Sequence, residues 1–197
     1  ITLLHAMAER IRAAGGRIMT GTRIDKVLIN GKRADGLVVG GQALHYARVA
    51  VTAQAPVYRR LIPDAPADYL YLGVISPLMA LSKPLTGYWV TNITDDRFPF
   101  TGLIETTAFI DPKYVGGHHL VYLPKYTLPG SDLQRKSDEE IKQVWLENLK
   151  SMLPDFDPGT VRHFQVLRER LVEPMHGLNS TGDIPGVETP VANLYLL

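Results

Sequence analysis

Residues 3–56 read LLHAMAERIRAAGGRIMTGTRIDKVLINGKRADGLVVGGQALHYARVAVTAQAP, and this stretch decides the fold. Leu3, Leu4, Met7, Ala8 and Ile11 fall on one helical face, with Glu9, Arg10 and Arg12 elsewhere. Gly15-Gly16 then supplies the left-handed residue that closes a helix. Short strands are predicted next, over Arg17–Met19 and Thr22–Ile29, and Asn30-Gly31 is a tight-turn signal. Gly36–Val39 reads as the following strand and Gly40-Gly41 as a second turn. Gln42–Ala53 reads as a long return ending in Val49-Ala50-Val51-Thr52-Ala53. The order is helix, strand, small antiparallel meander, buried strand.

Beyond this stretch the composition changes. Residues 1–63 hold ten Lys/Arg and three acids, whereas the remainder holds 11 bases and 17 acids. Of the 16 aromatic residues only Tyr46 and Tyr58 lie in the first part. Pro63-Asp64-Ala65-Pro66 marks the joint, because two prolines in four residues do not fit a helix or a central strand. The second part reads as antiparallel sheet, with strands expected at Leu72–Leu81, Tyr88–Ile93, Gly102–Phe109, His119–Tyr126 and Val161–Val172. One helix starts at Ser137, where Glu140 completes a capping box. Its apolar face is Ile141, Val144, Trp145, Leu149 and Met152, and Pro154 follows its end. The expected class is α+β, with the helix packed on one face of the sheet.

The chain has 197 residues, 45% hydrophobic and 21% charged, within the globular range. A net charge of +1 makes no case for a nucleic-acid partner. The basic residues of the first part are interleaved with sheet periodicity and lack aromatic stacking partners, so solvated strand faces are the favoured reading. The absence of cysteine removes disulfides, thiolate zinc sites and cysteine nucleophiles, and fits a reducing, cytoplasmic setting. No apolar run approaches the roughly 18 residues of a membrane span. Both ends read as interior to an element: Ile1-Thr2-Leu3-Leu4 begins within an amphipathic pattern, and Asn193-Leu194-Tyr195-Leu196-Leu197 stops as an apolar run. The expectation is an internal piece of a longer protein.

Several chemical motifs fail. Neither G-x-G-x-x-G nor G-x-x-x-x-G-K occurs, so no complete phosphate loop is expected. His118-His119 would point to opposite faces of a strand and has no matching ligand pair, so no metal site is expected. Asn92-Ile93-Thr94 and Asn179-Ser180-Thr181 fit the glycosylation pattern only by chance on this reading.

What remains resembles a family. Leu3–Pro56, with Gly15-Gly16, Gly21-Thr22-Arg23-Ile24 and Val49–Pro56, is similar to the middle of FAD-dependent oxidoreductases of the amine-oxidase superfamily. That group includes phytoene desaturases, protoporphyrinogen oxidase and UDP-galactopyranose mutase, and runs "LL..A......GG.I..GT.V..I", then a meander, then "VV.A.PP". Val161–Gly177 is similar to the family's "V.R.....P.Y..G" segment, although Met175 stands where the family has an aromatic. Thr189–Leu197 resembles the strand that leads back to the flavin. The resemblance implies that residues 1–63 are a middle segment of a discontinuous FAD-binding domain. It makes residues 64–188 an antiparallel-sheet substrate domain, and 189–197 a strand returning to the first. The family's dinucleotide fingerprint would precede Ile1, and its Gly-Asp flavin segment would follow Leu197.

The cofactor so implied is FAD, and the residues implied to bind it are Arg23, Ile24, Thr52, Ala53 and Pro56. The residue matching Ile24 meets the adenine through backbone groups, and small side chains near Thr52 let backbone approach the dinucleotide. For a small-molecule substrate the candidates are Glu105, Tyr122, Lys125, Tyr126 and Arg168, polar residues carried on strands. Arg168 matches the arginine of the family motif, and also reads as an ion-pair partner of Glu169 or Glu173. Glu105 and Lys125 also read as ordinary solvent-facing charges. On Val161–Val172 the Leu167/Leu171 face is taken as the core side, leaving Arg168 opposite it, toward the cleft between the two parts. No catalytic acid or base is nominated, and no metal. Oxidase or desaturase chemistry leads. A redox-neutral mutase of the UDP-galactopyranose mutase type and a non-catalytic α+β ligand-binding module are the alternatives.

Overall fold

The computed structural model describes residues 2–62, 70–183 and 186–197, and it is α+β. In chain order the elements are α1 (Thr2–Ala13), β1 (Lys26–Asn30), β2 (Arg33–Val39), β3 (Gln42–His45), β4 (Val49–Val51) and α2 (Ala55–Leu61). There follow β5 (Tyr71–Leu81), β6 (Val90–Asn92), β7 (Gly102–Glu105), β8 (His119–Tyr122), β9 (Lys125–Thr127), α3 (Asp138–Met152), β10 (Val161–Pro174) and β11 (Leu194–Leu196). The chain divides into two compact units, Ile1–Asp68 with Gly177–Leu197, and Tyr69–His176. The expected joint at Pro63–Pro66 lies outside the described residues. The final segment joins the first unit from Gly177, earlier than the Thr189 expected.

In the first unit α1 ends as its sequence predicts. Gly15 adopts φ 81°, and the N–H groups of Gly15 and Gly16 bond back to Arg12 and Ile11 carbonyls. β1, β2 and β3 form an antiparallel meander, whose second turn is the left-handed pair Gly40-Gly41. Gly36 passes so close to β3 that a Cβ there would collide with the Leu44 carbonyl oxygen. β4 and β11 pair in parallel, Leu194 opposite Val49 and Leu196 opposite Val51. Val49, Val51 and Leu194 are buried, as paired parallel strands require.

Three expectations for this unit are corrected. Arg17–Met19 is not a strand: a strand exists only where another pairs with it, and no described residue pairs with this segment. Thr22–Ile29 contributes only from Lys26. The long return Gln42–Ala53 breaks into β3 and β4, which belong to different sheets. Helix α2 is an element with no counterpart in the sequence reading. Pro56 sits in its first turn, where a missing N–H costs nothing, and Ala55, Tyr58 and Leu61 turn inward from it.

The second unit is a six-stranded antiparallel sheet in the order β10-β5-β8-β7-β6, with β9 also paired to β5. Helix α3 covers one face. Ser137 accepts the Glu140 N–H while the Glu140 carboxylate accepts the Ser137 N–H, so both halves of the capping box form. Ile141, Trp145 and Leu149 are fully buried against Ile75, Met79, Leu81, Phe100, Leu103, Val121 and Leu123. The Trp145 indole donates to the Leu123 carbonyl at 3.0 Å, so its polar edge is satisfied inside the core. Expected strand ends move: Gly102–Phe109 stops at Glu105, and His119–Tyr126 is split at Leu123-Pro124 into β8 and β9.

Candidate functional site

Cross-strand pairs share a face of a sheet, so the register separates the candidate residues of the second unit. The helix-covered face carries Ile75, Met79, Val121, Leu103 and Glu105. The opposite face carries a row running across five strands: Gln165 beside Leu78, Leu78 beside Tyr122, Tyr122 beside Ile104, and Ile104 beside Val90. A shorter row places Tyr126 beside Val74, and Leu167 lies beside Ser76 on the same face. Tyr122 is half-buried at the centre, whereas Tyr126 and Leu167 are exposed. Its centre is apolar around Tyr122, and its margins are polar: Glu169 lies beside Val74 in the row of Tyr126, His163 lies beside Ala80, and Gln165 and Ser76 fall between them. Tyr122 and Tyr126 are the two candidates the structure brings onto it.

Glu105, Lys125 and Arg168 lie on the helix-covered face. Lys125 and Arg168 flank Ile75 from β9 and β10, both half-buried. The Arg168 guanidinium bonds the Asp138 carboxylate and donates at 2.8 Å to the Lys136 carbonyl, tying β10 to the start of α3. Its partner is therefore Asp138, not the expected Glu169 or Glu173. The Glu169 carboxylate instead accepts the backbone N–H groups of Arg170 and Leu171. The face assignment on β10 is also corrected: Phe164 and Val166 pack on the core beneath α3, and Leu167 faces away from it. Helix placement, which strand periodicity cannot reveal, decides which face is covered.

Glu105 is fully buried, and the expectation of a solvent-facing charge is overturned. Its carboxylate accepts N–H groups from Leu85 (2.9 Å), Thr86 (2.8 Å) and Gly87 (3.0 Å), together with the Thr86 hydroxyl (3.1 Å). A carboxylate offers only acceptors, and here four donors meet it. Glu105 is the anchor of the 85–87 turn. The sequence signal that marks it is the lone charge on the otherwise uncharged strand Gly102–Glu105.

In the first unit Thr52, Ala53 and Gln54 form the short link from the end of β4 to α2. Thr52 and Pro56 are exposed and Ala53 half-buried. Arg23 is exposed and Ile24 half-buried in the segment before β1. The small side chains of Thr52 and Ala53 leave room for a ligand to approach this link closely, as the resemblance to flavin enzymes asks of it. No helix of the described residues is long and apolar enough to cross a membrane.

Comparison with solved structures places this fold. An oxidoreductase from Methanosarcina mazei superposes with a TM-score of 0.75 at 24% identity, over 98% of this chain and 47% of that one. A protein from Exiguobacterium sp. 255-15 gives 0.69 at 15% identity, over 98% of this chain and 45% of that one. An FAD-dependent oxidoreductase from Pseudomonas aeruginosa gives 0.56 at 20% identity, over 88% and 46%. The chain thus spans about half the length of each, and at these identities the likeness is one of fold. No curated protein matches the chain. The family model for flavin-containing amine oxidoreductases matches residues 2–196, and the chain belongs to that family.

Proposed function

We propose that this chain supplies the centre of an FAD-dependent oxidoreductase. Residues 1–63 and the run from Thr189 form a share of its flavin-binding domain, and residues 64–188 form its substrate-binding domain. The observation that carries this reading is the parallel pairing of β11 with β4. Strands from opposite ends of the chain close one small sheet, as a domain interrupted by an insertion requires. Arg23, Ile24, Thr52, Ala53 and Pro56 run beside the dinucleotide in this assignment. A bound flavin supplies the redox step, and the protein supplies binding, orientation and electrostatics.

The substrate rests on the open face of the sheet, with Tyr122 central and Tyr126 beside it. A platform apolar at its centre, with the two phenols and the Glu169 carboxylate toward one margin, suits a small molecule with an apolar body and a few polar groups that orient it. Arg168 and Glu105, spent on Asp138 and on the 85–87 turn, act by holding the sheet that presents this face.

The test is flavin content. The product of the complete reading frame should purify with the visible absorbance of a flavin, and the 197-residue chain alone should be colourless. Tyr122→Ala in the flavin-loaded protein should raise substrate KM several-fold without changing flavin content. A colourless complete product, or a flavin spectrum on the isolated chain, would overturn the assignment.

A further inference from the structure

We propose that the outer edge of the second unit's sheet, strand β6 with Trp89 and Phe109 beside it, is a surface at which two copies of this chain pair. This stands apart from the flavin reading and needs no cofactor.

Among the described residues β6 is the last strand of the sheet and pairs with β7 alone. The Glu105 N–H donates to the Trp89 carbonyl at 2.8 Å, and the Ile93 N–H to the Thr101 carbonyl at 3.1 Å. Residues 89 and 93 therefore turn their backbone groups toward β7. In an antiparallel ladder the alternate residues, Val90 and Asn92, turn theirs away. Natural sheets blunt such an edge with charge, proline or a covering segment. Tyr88-Trp89-Val90-Thr91-Asn92-Ile93-Thr94 contains none of these residues and is rich in strand-forming side chains.

The flanking surface is aromatic and exposed. Tyr88, Trp89 and Phe109 are 71%, 57% and 65% accessible, and the Trp89 and Phe109 rings meet edge to face at 5.3 Å. Exposed Trp and Tyr are the residues that anchor interfaces. The backbone leading into Tyr88 and Trp89 is also held in place before any partner arrives. The Glu105 carboxylate pins the 85–87 turn, and the Tyr88 N–H donates to the Thr86 hydroxyl oxygen at 3.2 Å. Association then loses little backbone entropy at this turn.

The chemistry of the edge selects the occupant. Lipid could cover the rings, but it cannot bond the outward N–H and C=O groups of Val90 and Asn92. A strand can. A second β6 running antiparallel satisfies both edges at once about a two-fold axis, without a charge on either side to oppose it. Fully buried aromatics remove ~150–250 Å² each, so three rings already more than half exposed have roughly 100 Å² apiece to lose. With Val90 and the paired backbone, two copies bury on the order of 1,000 Å², the lower limit for a specific contact.

Sedimentation across the micromolar range tests this. The chain should rise from 21.9 kDa toward twice that mass with concentration. Val90→Pro removes an N–H that faces away from β7, so its own sheet tolerates it, and dimer dissociation should shift at least about tenfold. Met7→Asp, on the exposed apolar stripe of α1, should leave association unchanged. Should Val90→Pro prevent folding, hydrogen exchange on the unaltered chain gives the second measurement. The Val90 and Asn92 amides should slow as concentration rises. A chain monomeric throughout overturns the proposal. So does a dimer lost in Met7→Asp but kept in Val90→Pro, or a monomer that pellets with phosphatidylcholine vesicles.

Discussion

Glu105 shows how one buried carboxylate organises a surface. Its four donors hold the turn from which Tyr88 and Trp89 project. Replacing it with glutamine puts an amide NH2 among N–H groups, leaving at least one buried donor facing another. Glu105→Gln should therefore cost about 1–3 kcal/mol in a denaturant titration, although the shape is nearly unchanged. A stability equal to the parent's would show that the carboxylate is not the anchor. Arg168 makes the contrasting case. Its ion pair with Asp138 is partly exposed, so Arg168→Ala should cost no more than about 1 kcal/mol. Substrate KM should be unaffected, which separates a residue that braces the sheet from one that touches substrate. Sequence placed both residues on strands but could not say which face the helix covers.

At the scale of elements, α3 was legible because its signals are local. The capping box at Ser137, the 3.6-residue apolar stripe and Pro154 just past the end all lie in or next to it. Leu149→Ala should lose about 2–5 kcal/mol, since Leu149 is fully buried beside Trp145 and Ile141. Ser137 N–H bonding, and then the Ser137 hydroxyl, hold the Glu140 carboxyl below the usual carboxylate range. A depressed folded pKa gives stability that is present above the unfolded value and lost as pH falls through the folded one. Glu140→Gln should accordingly flatten the acid side of the thermal-midpoint profile while leaving core mutants' losses unchanged. An identical acid limb in parent and variant would remove Glu140 from the account. Arg17–Met19 and the face of β10 were not legible for a common reason. Strand pairing and face coverage depend on distant residues, and alternation along β10 offers Leu167 and Leu171 as readily as Phe164 and Val166. Helix α2 has only seven residues, too few for a periodic signal, and it begins two residues beyond Ala53, to which the apolar run from Val49 reads as strand.

For the whole molecule, the long-range feature that the sequence did carry is the kinship of two short apolar runs, Val49–Ala53 and Leu194–Leu197. Neither can bury both faces alone, and the structure pairs them. The segment from Gly177 to Glu188 has no periodicity, so its membership of the first unit could not be read. The tail does more than pair with β4. Ala192 accepts the Ala34 N–H at 2.9 Å and donates to the Lys32 carbonyl at 2.8 Å, while Asn193 accepts the Val49 N–H at 2.8 Å. It thereby stitches the meander to the parallel pair, and Leu194 in β11 is buried at 1% exposure. Ending the chain after Asn193 removes β11 and Leu194 together. Amide protection at Val49–Val51 should then collapse, because a lone three-residue strand has no partner to hold it. Both tryptophans, Trp89 and Trp145, belong to the second unit, so their fluorescence reports on that unit alone. Its denaturant midpoint should stay within error of the parent's, since every bond lost lies in the first unit. A tryptophan transition that falls together with the Val49 protection would mean that the chain unfolds as one cooperative body, and that division into two units is geometric only.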